Sequence, residues 1–345
     1  MPVAGNYRAI DFALSNMANS RITKVGLITQ YNAGSLHEHL SSSKWWDFGR
    51  KQGGLHIFTP TVTSDNNFWY RGTADSIYQN LSFLKESHEP YVVIASGDGI
   101  YKMDYNELLE FHMEKGADIS LVCSEIHDPK DCERFGMVKL NDEMQVVDFE
   151  EKPIAAKSTL VSCGIYVIRR RLLIELIEKC AEEERFDFVR DILIRYMNVK
   201  KICGYKIKTY WSNIASIDDY YRTNMDFLKA DVRDYFFRQY PDVYTKVDDL
   251  PPAKYNVGSN VINSLVASGT IINGTVEGSI LFKKVFVGSN CTIKNSIILN
   301  DVYIGDNTYI ENCIVESGGT ILANSYYKGE DGPKVVIEKS DRYVF

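Results

Sequence analysis

The stretch Val285-Phe-Val-Gly-Ser-Asn-Cys-Thr-Ile-Lys-Asn-Ser-Ile-Ile-Leu-Asn-Asp-Val-Tyr-Ile-Gly-Asp-Asn307 decides the architecture of the C-terminal part. Its aliphatic residues Val287, Ile293, Ile298 and Ile304 stand five or six apart. The same spacing runs from Val266 through Ile271, Val276 and Leu281, and on to Ile310 and Val315. A helix cannot present such a period as one face, and a hairpin meander would not keep it for so long. Gly or Asn fills the corners, as in Val287-Gly-Ser-Asn290 and Ile304-Gly-Asp-Asn307. The economical reading is a parallel β-helix, in which each step makes one flat side and stacks its aliphatic residue inward. The competing reading, a β-sandwich, needs the spacing to be coincidence. Solenoids more often assemble subunits than do chemistry, so oligomerisation is the expected role.

Upstream the texture differs. Lys24-Val-Gly-Leu-Ile-Thr-Gln30, Tyr91-Val-Val-Ile-Ala-Ser96, Asp118-Ile-Ser-Leu-Val-Cys-Ser124 and Gly164-Ile-Tyr-Val-Ile168 are apolar and β-branched, with helix-period stretches between them at 104–115 and 170–184. Near-continuous apolar strands predict a parallel sheet buried between helices, an α/β doubly wound domain. One helix is expected over 218–239, before the proline pair of Asp249-Leu-Pro-Pro-Ala253. The division is thus an α/β domain over 1–240, a linker over 241–254 and a β-helix domain over 255–345.

Composition narrows the function. A chain of 345 residues holds roughly two domains. The net charge of -7 argues against a nucleic-acid partner, since a phosphate backbone rewards clustered Lys and Arg. No apolar run approaches the length of a membrane span. The seven cysteines form no C-x-x-C pair and read as reduced thiols, mostly buried, which predicts a cytoplasmic location.

Three segments are richer in polar chemistry than packing requires. In Trp69-Tyr-Arg-Gly-Thr-Ala-Asp75, Gly72 and Thr73 precede a helix whose free N–H groups and hydroxyl suit a purine edge or phosphate oxygens, unless the helix is merely capped. In Ala95-Ser-Gly-Asp-Gly-Ile100, Asp98 follows a strand where ligands of open sheets bind, and a carboxylate there suits Mg²⁺. A plain turn is the alternative. In Phe149-Glu-Glu-Lys-Pro153, Lys152 can meet a phosphate as a point charge and Glu151 can accept sugar hydroxyls. Otherwise it is a solvated turn. His37 and His39 fall in a helix-like stretch, where i and i+2 do not face each other, so a surface helix is expected there rather than a metal pair. Asp187 and Asp191 read first as a capped helix start and second as neighbours of a sugar site.

Taken in order, Arg8-Ala-Ile-Asp-Phe-Ala-Leu-Ser-Asn16, Ile28-Thr-Gln-Tyr31, Trp69 to Asp75, Gly97-Asp98 with Ile100-Tyr-Lys102, Phe149 to Pro153 and Leu250-Pro-Pro-Ala-Lys254 resemble the bacterial glucose-1-phosphate adenylyltransferases over essentially the whole chain. The resemblance implies a Rossmann-like nucleotidyltransferase domain of GT-A type, followed by a left-handed parallel β-helix of hexapeptide repeats. It implies conversion of ATP and glucose 1-phosphate to ADP-glucose and pyrophosphate in glycogen biosynthesis, with Mg²⁺ as cofactor. Gln30, Gly72 and Thr73 match nucleotide-binding positions. Tyr70, Gly136, Glu151, Lys152 and Ser162 match the sugar-phosphate site, and Asp98 the first catalytic, metal-binding aspartate.

Two departures matter. Where catalytic members carry a second metal-binding aspartate in a segment like Tyr-Trp-Arg-Asp-Val-Gly-Thr, this chain has Tyr210-Trp-Ser-Asn-Ile-Ala-Ser216. Asn213 is therefore a degenerate second ligand, and Ser212 replaces the neighbouring arginine. Catalytic members also begin with a strand and a Gly-rich phosphate loop that this sequence lacks, so an upstream segment before Met1 is expected. Without that strand its neighbours would keep unpaired backbone groups, each costing about 1–3 kcal/mol. The Asn213 pattern resembles the D-type regulatory subunit that accompanies a catalytic subunit in some Gram-positive bacteria. The expected assembly is a heterotetramer with that subunit, or a homo-oligomer. The alternatives are a competent adenylyltransferase and a non-catalytic sugar-phosphate or nucleotide sensor.

Overall fold

A computed structural model describes residues 1–49, 53–61, 69–126, 129–155 and 157–338. Residues 339–345, assigned above to the β-helix domain, lie outside the described residues. The chain divides into two compact units. One comprises Ala13–Gly97 and Tyr101–Trp211, the other Met1–Phe12, Asp98–Ile100 and Ser212–Phe345.

The first of these is built on a six-stranded sheet whose hub is the ten-residue strand Leu160–Arg169. It pairs antiparallel with Tyr91–Ala95, Ile119–Glu125 and Gly136–Leu140, while Val146–Glu151 pairs antiparallel with Gly136–Leu140. Ile202–Lys206 alone runs parallel to its neighbour, Ile119–Glu125. The expected parallel sheet is therefore corrected to a mixed one. Apolar runs report coverage of both faces, not strand direction. Ile119, Leu121 and Cys123 face a core with Leu173, Leu176 and Ile177 of the helix Arg170–Glu182. Val122, Ile165 and Val167 face Tyr105 and Leu108 of the helix Tyr105–Glu114. Asp104 caps that helix by accepting from the Asn106 N–H at 2.8 Å. Lys24–Ile28 pairs in parallel with Gly54–Phe58 as a separate two-stranded sheet. Among the described residues, Tyr91–Ala95 bonds to Leu160–Arg169 alone and is half-buried throughout.

In the second unit the hexapeptide spacing becomes a parallel β-helix of three faces, each a stack of five short strands. Val276, Leu281, Val287, Ile293, Ile298, Ile304, Ile310 and Val315 all point inward and are fully buried. Ile272 rather than Ile271 takes the inward place on its strand, a one-residue correction caused by a shorter coil there. The corner residues Asn290 and Asn307 adopt the left-handed conformation, with φ of 56° and 57°. Asn290 donates to Asn307 Oδ1 and Asn307 to Asn324 Oδ1, each at 3.2 Å, so the carboxamides form a ladder along the corner. Ser264, Ser279 and Ser296 do the same with their hydroxyls, each accepting a backbone N–H from the next coil.

The single helix expected over 218–239 is two helices, Ile217–Asp226 and Ala230–Phe237. The break lets Phe227 and Phe236 bury completely with Phe12 in one aromatic cluster. Arg233 Nη1 donates to the carbonyls of Phe227 and Leu228, two acceptors the break releases.

Truncating one rung of the solenoid core tests its packing. Ile293→Ala is expected to cost about 2–5 kcal/mol, read as a lower denaturant midpoint with an unchanged slope.

Candidate functional site

Of the positions expected to bind nucleotide, Gln30 accepts the Tyr70 N–H at its Oε1 at 2.7 Å, so the amide NH₂ end of the side chain is not used in that bond. The Tyr70 hydroxyl accepts from Asn80 Nδ2 at 3.0 Å. Beside them, Tyr31 and Trp69 stack at 5.4 Å with both rings exposed. Gly72 lies so close to the Phe186 carbonyl that a Cβ would stand 2.3 Å from its oxygen.

The helix Thr73–Gln79 corrects the expectation of free donors at its start. The Phe186 carbonyl accepts from the N–H groups of Ala74, at 2.8 Å, and Asp75, at 3.3 Å. The Thr73 hydroxyl accepts from the Phe188 N–H at 2.9 Å. These groups are committed to holding the segment 186–188, and Arg71 adds a guanidinium 3.8 Å over the Phe186 ring.

Of the positions expected to bind the sugar phosphate, Gly136 and Glu151 are register partners on adjacent strands. A Cβ on Gly136 would lie 2.7 Å from the Phe149 ring and 2.9 Å from Glu151 Oε2, so the glycine makes room for the carboxylate. Lys152 follows in the left-handed region, with φ of 49°, held by its N–H donating to the Phe135 carbonyl at 3.1 Å. For a residue with a Cβ this costs about 1–3 kcal/mol. Ser162 stands where the hub strand shifts register, just before Gly164, whose φ is 70°. Its buried hydroxyl has no hydrogen-bond partner of ordinary geometry among the described residues, and neither has Trp211 Nε1.

Asp187 is the cap that its place in the sequence suggests: it accepts the Arg190 N–H at 2.7 Å, and it also lies near Glu151. Burial first, and the charge of Asp187 after it, push the Glu151 carboxyl above its ordinary value, against the pull of Lys152. Asp191 accepts from the Asp187 N–H and pairs with Arg185, so it is structural. His37 and His39 do lie on a helix, Ala33–Leu40, but His39 is buried edge-on against Trp46 rather than on the surface.

Asp98 and Asn213 lie in the other unit. The short strands Gly99–Tyr101 and Trp211–Asn213 pair, and the Ile214 N–H donates to the Asp98 carbonyl at 3.1 Å, bringing the two positions side by side. Ser212 Oγ shares a hydrogen bond with Thr223 Oγ1 at 2.7 Å. Among the described residues no three His, Cys, Asp or Glu side chains gather as an ion cage. A carboxylate and a carboxamide oxygen are donors of the hard-oxygen type that suits Mg²⁺.

Two substitutions probe the sugar-phosphate corner. Ionising Glu151 costs the folded state, because its folded value lies above the unfolded one; the penalty is absent at low pH and complete once pH passes the raised value. Glu151→Gln is therefore expected to raise Tm at neutral pH, a gain that vanishes as the pH falls through the ordinary carboxylate range. Gly136→Ala, forced against Phe149, is expected to lower stability by about 1–3 kcal/mol in thermal unfolding.

Residues 1–230 match the nucleotidyl transferase family model, and residues 251–332 match the model for the GlmU-like C-terminal hexapeptide. The glucose-1-phosphate adenylyltransferase of Clostridium botulinum (strain Alaska E43 / Type E3) is 39% identical over 295 residues, covering 84% of this chain and 76% of that protein. The protein of the same name from Pseudothermotoga lettingae is 36% identical over 84% of this chain and 69% of its own length. That of Bacillus mycoides is 39% identical over 83% and 77% respectively. With both halves of the chain matched and these relatives covered for more than two thirds of their length, the chain belongs to the glucose-1-phosphate adenylyltransferase family of nucleotidyl transferases.

Proposed function

We propose that this chain is the D-type regulatory subunit of a cytoplasmic glucose-1-phosphate adenylyltransferase in glycogen biosynthesis. It is weakly active or inactive alone and modulates a catalytic subunit in a heterotetramer. The observation that carries the reading is the amide of Asn213 beside Asp98, at the position of the family's second metal-binding aspartate.

The reaction joins an oxygen of glucose 1-phosphate to the α-phosphorus of ATP while the bond to pyrophosphate breaks, giving ADP-glucose. Such a displacement depends on positioning and on neutralising phosphate charge. Mg²⁺, when bound, supplies that neutralisation. Gln30 orients the base with its free amide end. Glu151 and Ser162 accept and donate to sugar hydroxyls, and Lys152 meets the sugar phosphate as a point charge. Asp98 contributes the one full negative charge toward the cation, and Asn213 adds an oxygen without charge. Ligand binding is thereby retained while the chemical step is slowed.

Pyrophosphate release tests this. The full-length protein alone is expected to turn over slowly, and mixing with the catalytic homologue from the same genome is expected to change the latter's rate or effector response. Brisk turnover by the lone chain overturns the reading in favour of a competent enzyme, and no effect on the partner favours a sensor. Asn213→Asp is expected to raise the lone rate by up to about a hundredfold, equivalent to roughly 3 kcal/mol.

A further inference from the structure

Three consecutive residues, Phe186-Asp-Phe188, are held from several directions at once. The Phe186 carbonyl accepts the Ala74 and Asp75 N–H groups at 2.8 and 3.3 Å. The Phe188 N–H donates to the Thr73 hydroxyl, and the Phe188 ring packs on Tyr166 of the hub strand, 5.2 Å away. Between them the Asp187 N–H donates to Asp191 Oδ2 at 3.0 Å. The Asp187 carboxylate accepts the Arg190 N–H and lies close enough to Glu151 for its charge to act on that carboxyl.

Arg71 reaches this segment from the other side, with its guanidinium 3.8 Å over the Phe186 ring. Its place there is built. The Asp75 carboxylate, 2% exposed, accepts the Arg71 N–H at 2.8 Å and the guanidinium Nη2 at 3.2 Å. Gln79 Nε2 donates to the same carboxylate at 2.9 Å. A guanidinium paired at one nitrogen still has a planar face to lay on an aromatic ring, which an ammonium lacks. We propose that Arg71 is a positioning residue for sugar-phosphate binding. Seated on Phe186, it holds the segment 186–188 against the helix Thr73–Gln79 and so sets where Asp187 stands beside Glu151.

As a partner for the buried Asp75 alone, Arg71 would need no ring beneath it. Phe186 is half-buried and the Arg71 side chain is 47% exposed, so their contact lies at the surface and adds little to the core. Its leverage is geometric. Hydrogen bonds weaken steeply with misalignment, and a small displacement of a polar group is enough to spoil a bound ligand's contacts. The inference rests on the sugar-phosphate role proposed above for Glu151, and extends it to Arg71 and Phe186, which act through Asp187.

Calorimetric titration of the full-length protein with glucose 1-phosphate and, separately, with ATP is the test. Phe186→Leu keeps apolar bulk and leaves the pair between Arg71 and Asp75 intact. It is expected to weaken glucose 1-phosphate about fivefold, equivalent to about 1 kcal/mol, and ATP by less than about twofold. Arg71→Lys, which keeps the charge but not the planar stack, is expected to do the same, and Phe186→Tyr to bind as the unaltered protein does. In an Asp187→Ala background, Phe186→Leu is expected to cost nothing further, because the group it places is gone. If Arg71 serves only to neutralise Asp75, Phe186→Leu is silent; if the fold merely loosens, both ligands weaken together. Either result overturns the proposal, as does a loss that adds in full to that of Asp187→Ala. An unaltered protein that takes up no glucose 1-phosphate overturns the sugar-site reading and this proposal with it. One that binds it no better than its variants overturns this proposal alone.

Discussion

A single strand, Leu160–Arg169, has to satisfy three antiparallel neighbours, and the α/β unit is arranged around that demand. Pairing with Tyr91–Ala95 along its second half and with Gly136–Leu140 at its start requires length, and keeping both edges in register requires a break. Gly164 supplies the break by turning into positive φ where a side chain would press on Ser96. Across the break, the Ser162 hydroxyl stays close enough to Tyr166 to interact with its phenol, and the Tyr166 ring packs on Phe188, 5.2 Å away.

The same economy of commitment governs the loop across from it. The Phe186 carbonyl closes the start of one helix and fixes where Asp187 lies, so the segment after Gly72 and the surroundings of Glu151 share one mechanical support. Folding also tolerates a left-handed lysine and a crowded carboxylate at adjacent positions, Lys152 and Glu151. Strain and unfavourable burial are thus concentrated in two neighbouring residues, with well-packed strands around them.

Much of this was legible from residue order. The five- and six-residue spacing has one good solution, and the solenoid follows it, with Ile272 displacing Ile271 because a coil of uneven length shifts the inward position. Strand direction was not legible in the α/β unit: Val122 and Ile165 look alike in parallel and antiparallel sheets once both faces are covered. Nor could sequence foresee that the Ala74 and Asp75 donors were already taken, because their acceptor lies more than a hundred residues away, at Phe186. Asp187 was seen as a cap, which it is. Its second role depends on a Glu151 carboxylate that only the paired strands bring near.

The ladders of Asn and Ser along the solenoid corners carry a consequence for how this part of the chain can change length. Each coil touches only the coils above and below it, so the stack has no global constraint beyond alignment of its columns. Loss or duplication of a whole turn, such as the 17 residues from Phe286 to Val302, would leave every corner matched and move the far end by a single strand spacing. A corner can shed two residues, as in the 15-residue coil from Ile271 to Val285, but a loss within a strand would throw hydroxyls and aliphatic residues out of step together. The domain's height is therefore quantised.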